Sequence, residues 1–278
     1  MEASFWDGKR APGVKDTIDL STYDSVVEVI ENSFKRYADR PAFTSIGYTL
    51  TYRQIDEYSA AFANYLQNHT TLKPGDSIAI QMPNILQYPI AMYGALRAGL
   101  RVVNTNPLYT EREMLHQFND SGAKALLCMD VFAKSVQNVK DQTGIKHIIV
   151  TSLADMLPGF KRVLINAAAK HIKKMVPAYS LPEAVSFRKC LKLGKGKGFQ
   201  ANHMKNPHDT IVLQYTGGTT GVAKGAELTN RNLVANMLQA ASALGQTTAD
   251  GKPMKGEDQA IIVAPLPLYH IYSFTVHL

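Results

Sequence analysis

The chain has 278 residues, 45% hydrophobic and 19% charged, which is enough apolar material for one large core or two smaller ones and excludes a disordered chain. No window approaches 18 uncharged apolar residues, and residues 1–10 lack an apolar stretch after a basic start, which argues against an ordinary transmembrane helix and a secretory signal. The net charge of +7 is concentrated: residues 161–197 hold ten Lys or Arg and one acid, Glu183, so that segment carries +9 and the remainder −2.

In chain order, Thr51-x-x-Gln54 predicts a capping box ahead of a helix with Ile55, Tyr58, Phe62 and Leu66 on one face. The turn Lys73-Pro-Gly-Asp76 then leads into a strand over residues 77–82, followed by a helix over about 86–97 that ends at Gly99, and a strand over 101–103. Thr110-x-x-Glu113 predicts a second capping box and a helix carrying Met114, Leu115 and Phe118 that stops at Ser121-Gly122. Residues 125–129 and 147–150 read as further strands. The alternation predicts an α/β fold of doubly wound units with mostly parallel pairing.

The pattern then loosens. Phe160, Leu164, Ala168, Ile172 and Met175 recur at helical spacing, with Arg162, Asn166, Lys170, Lys173 and Lys174 toward another face, so residues 158–177 read as a basic amphipathic segment. Such a helix either covers the core with its lysines solvated or lies on an anionic membrane. The tract lacks interleaved aromatics, so nucleic acid is not an expected partner. Gly194-Lys-Gly-Lys-Gly198 reads as a flexible connection. The two cysteines, Cys128 and Cys190, have no CxxC or metal-ligand spacing and read as reduced thiols of a cytoplasmic protein.

The most informative segment follows the β-branched strand 210–213: Tyr215-Thr-Gly-Gly-Thr-Thr-Gly-Val-Ala-Lys-Gly-Ala226. Its glycines permit positive φ and close backbone approach, which aims amide N–H groups at an anion, while threonine hydroxyls and Lys224 add donors and charge. A Walker-type loop needs lysine directly after its last glycine, then Ser or Thr and a helix, and no Gly-Lys-Ser/Thr occurs in the chain. After Lys224, Gly-Ala-Glu-Leu-Thr predicts a return strand, with Asn230 as the cap of the next helix. The spacing alone leaves open a Gly/Thr-rich hairpin with no ligand.

That loop, extended through Leu228-Thr-Asn-Arg-Asn232, resembles the phosphate loop of the adenylate-forming enzymes. Pro265-Leu-Pro-Leu-Tyr-His270-Ile-Tyr-Ser-Phe274 resembles their segment beside the acyl pocket. Arg40-Pro-Ala-Phe43, Thr51-Tyr52 and Asn104-Thr-Asn-Pro-Leu-Tyr-Thr110 are similar to the same superfamily, so the resemblance spans nearly the whole chain. Residues 173–179 together with the loop wording are most similar to bacterial long-chain fatty-acid CoA ligases.

The resemblance implies an incomplete large N-terminal domain of two doubly wound αβ subdomains. Residues 1–72 would pack on the second subdomain, 73–205 would form the first, 206–278 would begin the second, and the C-terminal half of the enzyme would be absent. It implies activation of a fatty acid with ATP to acyl-AMP, then transfer to coenzyme A. Tyr215, Thr216, Gly217, Gly218, Thr219, Thr220, Gly221, Lys224 and Gly225 would bind the nucleotide, with Lys224, Thr219 and His270 catalytic and Tyr269, His270 and Phe274 facing substrate. The magnesium ligand, the ribose aspartate and the adenylation lysine would lie beyond Leu278. The chain alone is therefore expected to be inactive, and residues 271–278 end inside an apolar run, which fits an expected truncation. The alternative is a non-catalytic membrane-surface or nucleotide-binding module. The expected location is cytoplasmic, with peripheral contact at the inner face of the cell membrane. Nothing in the sequence sets oligomeric state or acyl chain length.

Overall fold

A computed structural model describes residue 9 and residues 17–196, 198–201, 204–217, 222–244 and 261–277. The first helix, α1 (Val26–Arg36), is capped by Ser25, whose hydroxyl accepts from the Glu28 amide at 3.2 Å. Strands β1 (Pro41–Ser45) and β2 (Tyr48–Thr51) form a separate antiparallel hairpin, turned by Ile46 and Gly47 at φ 51 and 66. Two left-handed residues are what a tight hairpin turn needs to match strand twist. Helix α2 (Tyr52–Asn68) opens on the expected Thr51/Gln54 box and buries Ile55, Phe62 and Leu66.

The main sheet contains β3 (Ser77–Gln81), β4 (Arg101–Asn104), β5 (Ala123–Met129), β6 (His147–Thr151), β7 (Val185–Ser186), β8 (Thr210–Thr216) and β9 (Lys224–Thr229). Around them lie α3 (Gln87–Arg97), α4 (Glu111–Asp120), α5 (Ala133–Val139), α6 (Gly159–Ala167), α7 (Phe187–Gly194), α8 (Asn230–Leu244) and α9 (Ile271–His277). The strand order is β7-β6-β5-β3-β4-β8-β9, parallel throughout except that β9 runs back along β8. Side chains of one strand alternate between faces. Ile78 and Ile80 enter the core shared with α2, α3 and α7, whereas Ala79 enters the core with Met114 and Phe118 of α4 and Val136 of α5. Both faces are therefore covered, which is why β3 is buried at every position. Among the described residues β8 and β9 continue the sheet of β3–β7 through β4.

Helix α3 is cross-tied by a buried cation. Arg97 ion-pairs with Asp56 at 2.8 Å and Glu31 at 3.4 Å, donates to the Ser59 hydroxyl, and lies over the Phe34 and Phe199 rings.

Three local expectations are corrected. Gly194 is not part of a flexible connection: it is the buried last residue of α7, and its carbonyl accepts from Asn64 Nδ2 at 2.6 Å. The spacing Phe187, Cys190, Leu191, Gly194 is i, i+3, i+4, i+7, a helical signal hidden under the Gly/Lys composition. Asn230 does not cap α8. Thr229 does, in a reciprocal pair where its hydroxyl accepts from Asn232 N–H at 3.3 Å and its own N–H donates to Asn232 Oδ1 at 3.0 Å. Asn230 is spent on tertiary contacts, accepting from the Val26 amide of α1 at 3.0 Å and donating to the Met204 and Asn206 carbonyls. The basic segment is helical over 159–172, the last five residues as a π-turn, so the helical spacing read from Phe160 to Met175 ends one turn early.

Both cysteines are free and buried, and burial pushes each thiol up to about 12. Since the thiolate is the nucleophile, neither Cys128 nor Cys190 is expected to react with iodoacetamide at pH 8 in the native protein. Both should react after denaturation, which intact mass will read directly.

Candidate functional site

The carboxyl ends of β3, β4 and β8 point to one edge of the sheet, the edge where open α/β sheets bind ligands. There β8 ends at Thr216, with Gly217 next, and β9 begins at Lys224, which pairs in register with Thr216. Thr216, Gly217 and Lys224 are exposed, and a Cβ on Gly217 would meet nothing within 4 Å. The two limbs thus present a hydroxyl, an open backbone position and an ammonium group side by side. Gly218, Thr219, Thr220 and Gly221 lie outside the described residues.

The hairpin is braced from below. Tyr215 is buried, and its phenol donates to Asp120 Oδ2 at 2.5 Å, so burial first and that hydrogen bond second push the phenol well above its ordinary range. Its ring lies against Gly225, the residue opposite, where any Cβ would come 2.9 Å from Tyr215 Cζ. Gly225 is thus required by close packing. His116, one turn before Asp120 on α4, packs edge-on to the Tyr215 ring and bonds the Ala223 carbonyl through Nε2 at 2.8 Å. Helix α4 consequently holds both limbs of the loop, one by each side chain. No motif in the sequence singles out His116. The signal was its i, i+4 relation to Asp120, which acquires meaning only once α4 lies under the hairpin.

A buried polar chain ties the hairpin to the segment carrying His270. Asn104, at the end of β4, donates to Gln214 Oε1 at 3.0 Å, and Gln214 Nε2 donates to the Tyr269 carbonyl at 3.2 Å. The Tyr88 hydroxyl lies 2.6 Å from Asn104 Oδ1 and 2.9 Å from the Leu268 carbonyl, and burial pushes its phenol well up. Asn84 donates to the Ala264 and Leu266 carbonyls and accepts from the Leu268 amide. Asn84, Tyr88 and Gln214 were missed from sequence, since a lone amide or phenol in an apolar run has no motif.

Those bonds bring Tyr269 and His270 to the same edge as Thr216 and Lys224. Tyr269 is half-buried and His270 exposed, whereas Phe274 of α9 is 1% exposed and packed in the core. An open cavity of about 600 Å³ adjoins this segment, lined by Phe43, Tyr52, Ile85, Pro89, Val263 and Leu268 among others. Among the described residues no group of three or more His, Cys, Asp or Glu is arranged to hold a metal ion.

A mostly parallel α/β sheet that opens at its carboxyl edge into a braced Gly/Thr/Lys hairpin, beside a tethered aromatic-histidine segment, has the architecture of an adenylate-forming enzyme's N-terminal domain. The chain belongs to the AMP-binding enzyme family, whose model matches residues 30–278. It is 45% identical over 275 residues to a long-chain-fatty-acid–CoA ligase of Escherichia coli O157:H7, and 46% identical over 270 residues to one of Yersinia pestis. These alignments cover 98% and 97% of this chain and 47% of each relative, so the chain spans about half the length of the curated relatives it matches. The fold is shared with a solved long-chain-fatty-acid-CoA ligase from Archaeoglobus fulgidus, at TM-score 0.68 and 23% identity over 91% of this chain and 44% of that one.

Proposed function

We propose that these residues form the phosphate-holding end of an ATP-dependent long-chain fatty-acid CoA ligase. The observation that carries the reading is the β8–β9 hairpin, which sets Thr216 opposite Lys224 at the carboxyl edge of the sheet. Likeness to the ligases of Escherichia coli and Yersinia pestis supports the choice of fatty acid and coenzyme A as co-substrates.

The chemistry has two steps. A fatty-acid carboxylate attacks the α-phosphate of ATP; the bond to the β-phosphate oxygen breaks, leaving acyl-AMP and pyrophosphate. The thiol of coenzyme A then gives up its proton and attacks the acyl carbon, and AMP leaves with the carboxyl oxygen. Negative charge grows on the departing phosphates in the first step, and fixed donors aimed at that charge lower the barrier. Thr216, Thr219 and Thr220, with the backbone of Gly217, Gly218 and Gly221, would supply those donors. Lys224 would stabilise pyrophosphate as it separates. Tyr215 and Gly225 would keep the limbs of the loop at their spacing. Tyr269 and His270 would line the junction of nucleotide and acyl group, and Phe274 would back that wall from within the core. Magnesium would be held by an acid outside these residues.

The division into residues 1–72, 73–205 and 206–278 is likewise proposed, with the Asn230 bond to α1 as support for the N-terminal segment meeting the second unit. Since a fatty acid partitions into bilayers, the basic stretch 158–197 is the surface proposed to meet the inner face of the cell membrane.

A charge-assisted hydrogen bond contributes roughly 1.5–3 kcal/mol, so Lys224→Ala should weaken ATP binding about 10- to 100-fold by equilibrium dialysis. Binding equal in the two proteins would sink the reading. The 278-residue chain is expected to make no acyl-CoA from ATP, fatty acid and coenzyme A by mass spectrometry. A thioester lost in Lys224→Ala would overturn that inactivity while supporting the ligase assignment.

A further inference from the structure

Helix α6 is docked the wrong way round for a helix that covers a core. Its inward contacts are polar: Asn166 donates to Asp155 Oδ1 at 3.1 Å and accepts from the Ala154 amide at 2.8 Å, and no residue of the helix is buried. Phe160, Val163, Leu164 and Ala167, spaced i, i+3, i+4 and i+7, lie on the exposed face, with Phe160 76% exposed. Ile172 in the following π-turn is also 76% exposed, and Met175 extends the patch. Hydrophobic residues at helical spacing are ordinarily the buried stripe.

The charge around this stripe has one sign. Residues 158–182 contain five Lys or Arg and no acid. At the root of the helix, between α2, the first turn of α6 and α7, lies an open cavity of about 630 Å³. Arg162, Arg188, Lys189, Lys192 and Lys195 line it, with Glu57 as its one carboxylate. Among the described residues none of these five cations is in an ion pair. Apolar side chains above a pocket of unneutralised cations match a phospholipid, whose acyl chains and phosphate are joined in that arrangement.

We propose that α6 lies in the interface of an anionic bilayer, Phe160, Val163 and Leu164 among the acyl chains, and that the cavity beneath takes the phosphate-bearing headgroup of one phospholipid. This deepens the membrane reading above and does not depend on the ligase reaction. A second copy of the chain is a poorer occupant, because a two-fold contact through this stripe sets the same cations against one another. Among the described residues no helix is long and apolar enough to cross a membrane, so contact through these residues is with the surface.

The test is co-sedimentation of the chain with phosphatidylcholine vesicles, with and without phosphatidylglycerol. Binding is expected only with the anionic lipid. Phe160→Ser/Leu164→Ser should weaken it more than about tenfold, as each loses the burial of a large apolar side chain. Each lysine near an anionic surface is worth about fivefold in affinity. Lys189→Glu/Lys192→Glu should therefore lose at least about 25-fold, and more than the charge-matched Lys173→Glu/Lys174→Glu, which lies outside the cavity. All three pairs lie mainly on the surface, and circular dichroism will verify that they fold.

Equal losses in the two lysine pairs would overturn the headgroup site and leave the general membrane reading standing. No sedimentation with anionic vesicles would overturn both. Release from vesicles by inorganic phosphate at constant ionic strength would assign the cavity to a soluble phosphate instead. A dimer in solution abolished by Phe160→Ser would assign the stripe to a second copy.

Discussion

Gly194→Ala is expected to destabilise the protein by about 3 kcal/mol or more, at the upper end of what overpacking costs. A Cβ at this position would overlap the Ala61 carbonyl oxygen, and it would also come 2.9 Å from the Ala61 carbonyl carbon and 3.0 Å from the Tyr65 amide nitrogen. All three neighbours are backbone of α2, so no side chain can rotate away; α7 must move off α2. That movement also breaks the bond from Asn64 to the Gly194 carbonyl and disturbs the Phe62–Phe187 edge contact, whose ring centroids are 5.1 Å apart. Gly144→Ala is the control, since its added Cβ would come no nearer than 3.8 Å to any atom outside its own chain neighbours, the closest being the Ala123 carbonyl oxygen, in ordinary contact. Urea unfolding of the two variants should show a large fall in midpoint for the first and little change for the second. Equal midpoints would mean that α7 is not seated on α2 as described.

The second large effect is expected at Asn104, which is 2% exposed and bonded on both sides of its amide. Asn104→Ala leaves Gln214 Oε1 without its donor in a buried setting, and an unsatisfied buried group costs about 1–3 kcal/mol. The space left by the side chain adds to this. Because Gln214 is the link to the Tyr269 carbonyl, the same variant should loosen the segment that carries His270. Hydrogen exchange followed by mass spectrometry should show faster exchange in peptides spanning 265–271, while α1 and α2 are unchanged. Removing both partners together, Asn104→Leu with Gln214→Leu, should cost less than the sum of the single losses, since neither polar group is then stranded. Strict additivity would show that the two amides do not act as a pair.

The elements most legible in the sequence were those whose determinants are local. The capping boxes at Thr51/Gln54 and Thr110/Glu113 form within four residues, and both are present as read. The Gly/Thr/Lys segment was legible as strand, loop and return strand because β8 and β9 are joined by the loop itself. Helix α7 was obscured because glycine and lysine dominate its end, although Phe187, Cys190 and Leu191 carry the helical period. The cap of α8 was misplaced by one residue because Thr229 and Asn230 are both good caps, and only the approach of α1 decided which of them was free for the task.

By itself the sequence determined the α/β alternation, the place of the Gly/Thr/Lys hairpin and the resemblance that names the family, since each rests on periodicity or on contiguous residues. Only the tertiary structure decided that His116 and Asp120 brace that loop, that Asn104 and Gln214 tether the His270 segment, and that the apolar stripe of α6 faces outward. The physical reason is that hydrogen-bond partners and burial are set by neighbours far away in the chain: Asn104 and Gln214 are 110 residues apart, and Tyr215 and Asp120 are 95 apart. Helical period shows that a stripe exists, but which side of the helix meets the protein depends on the surface it docks against.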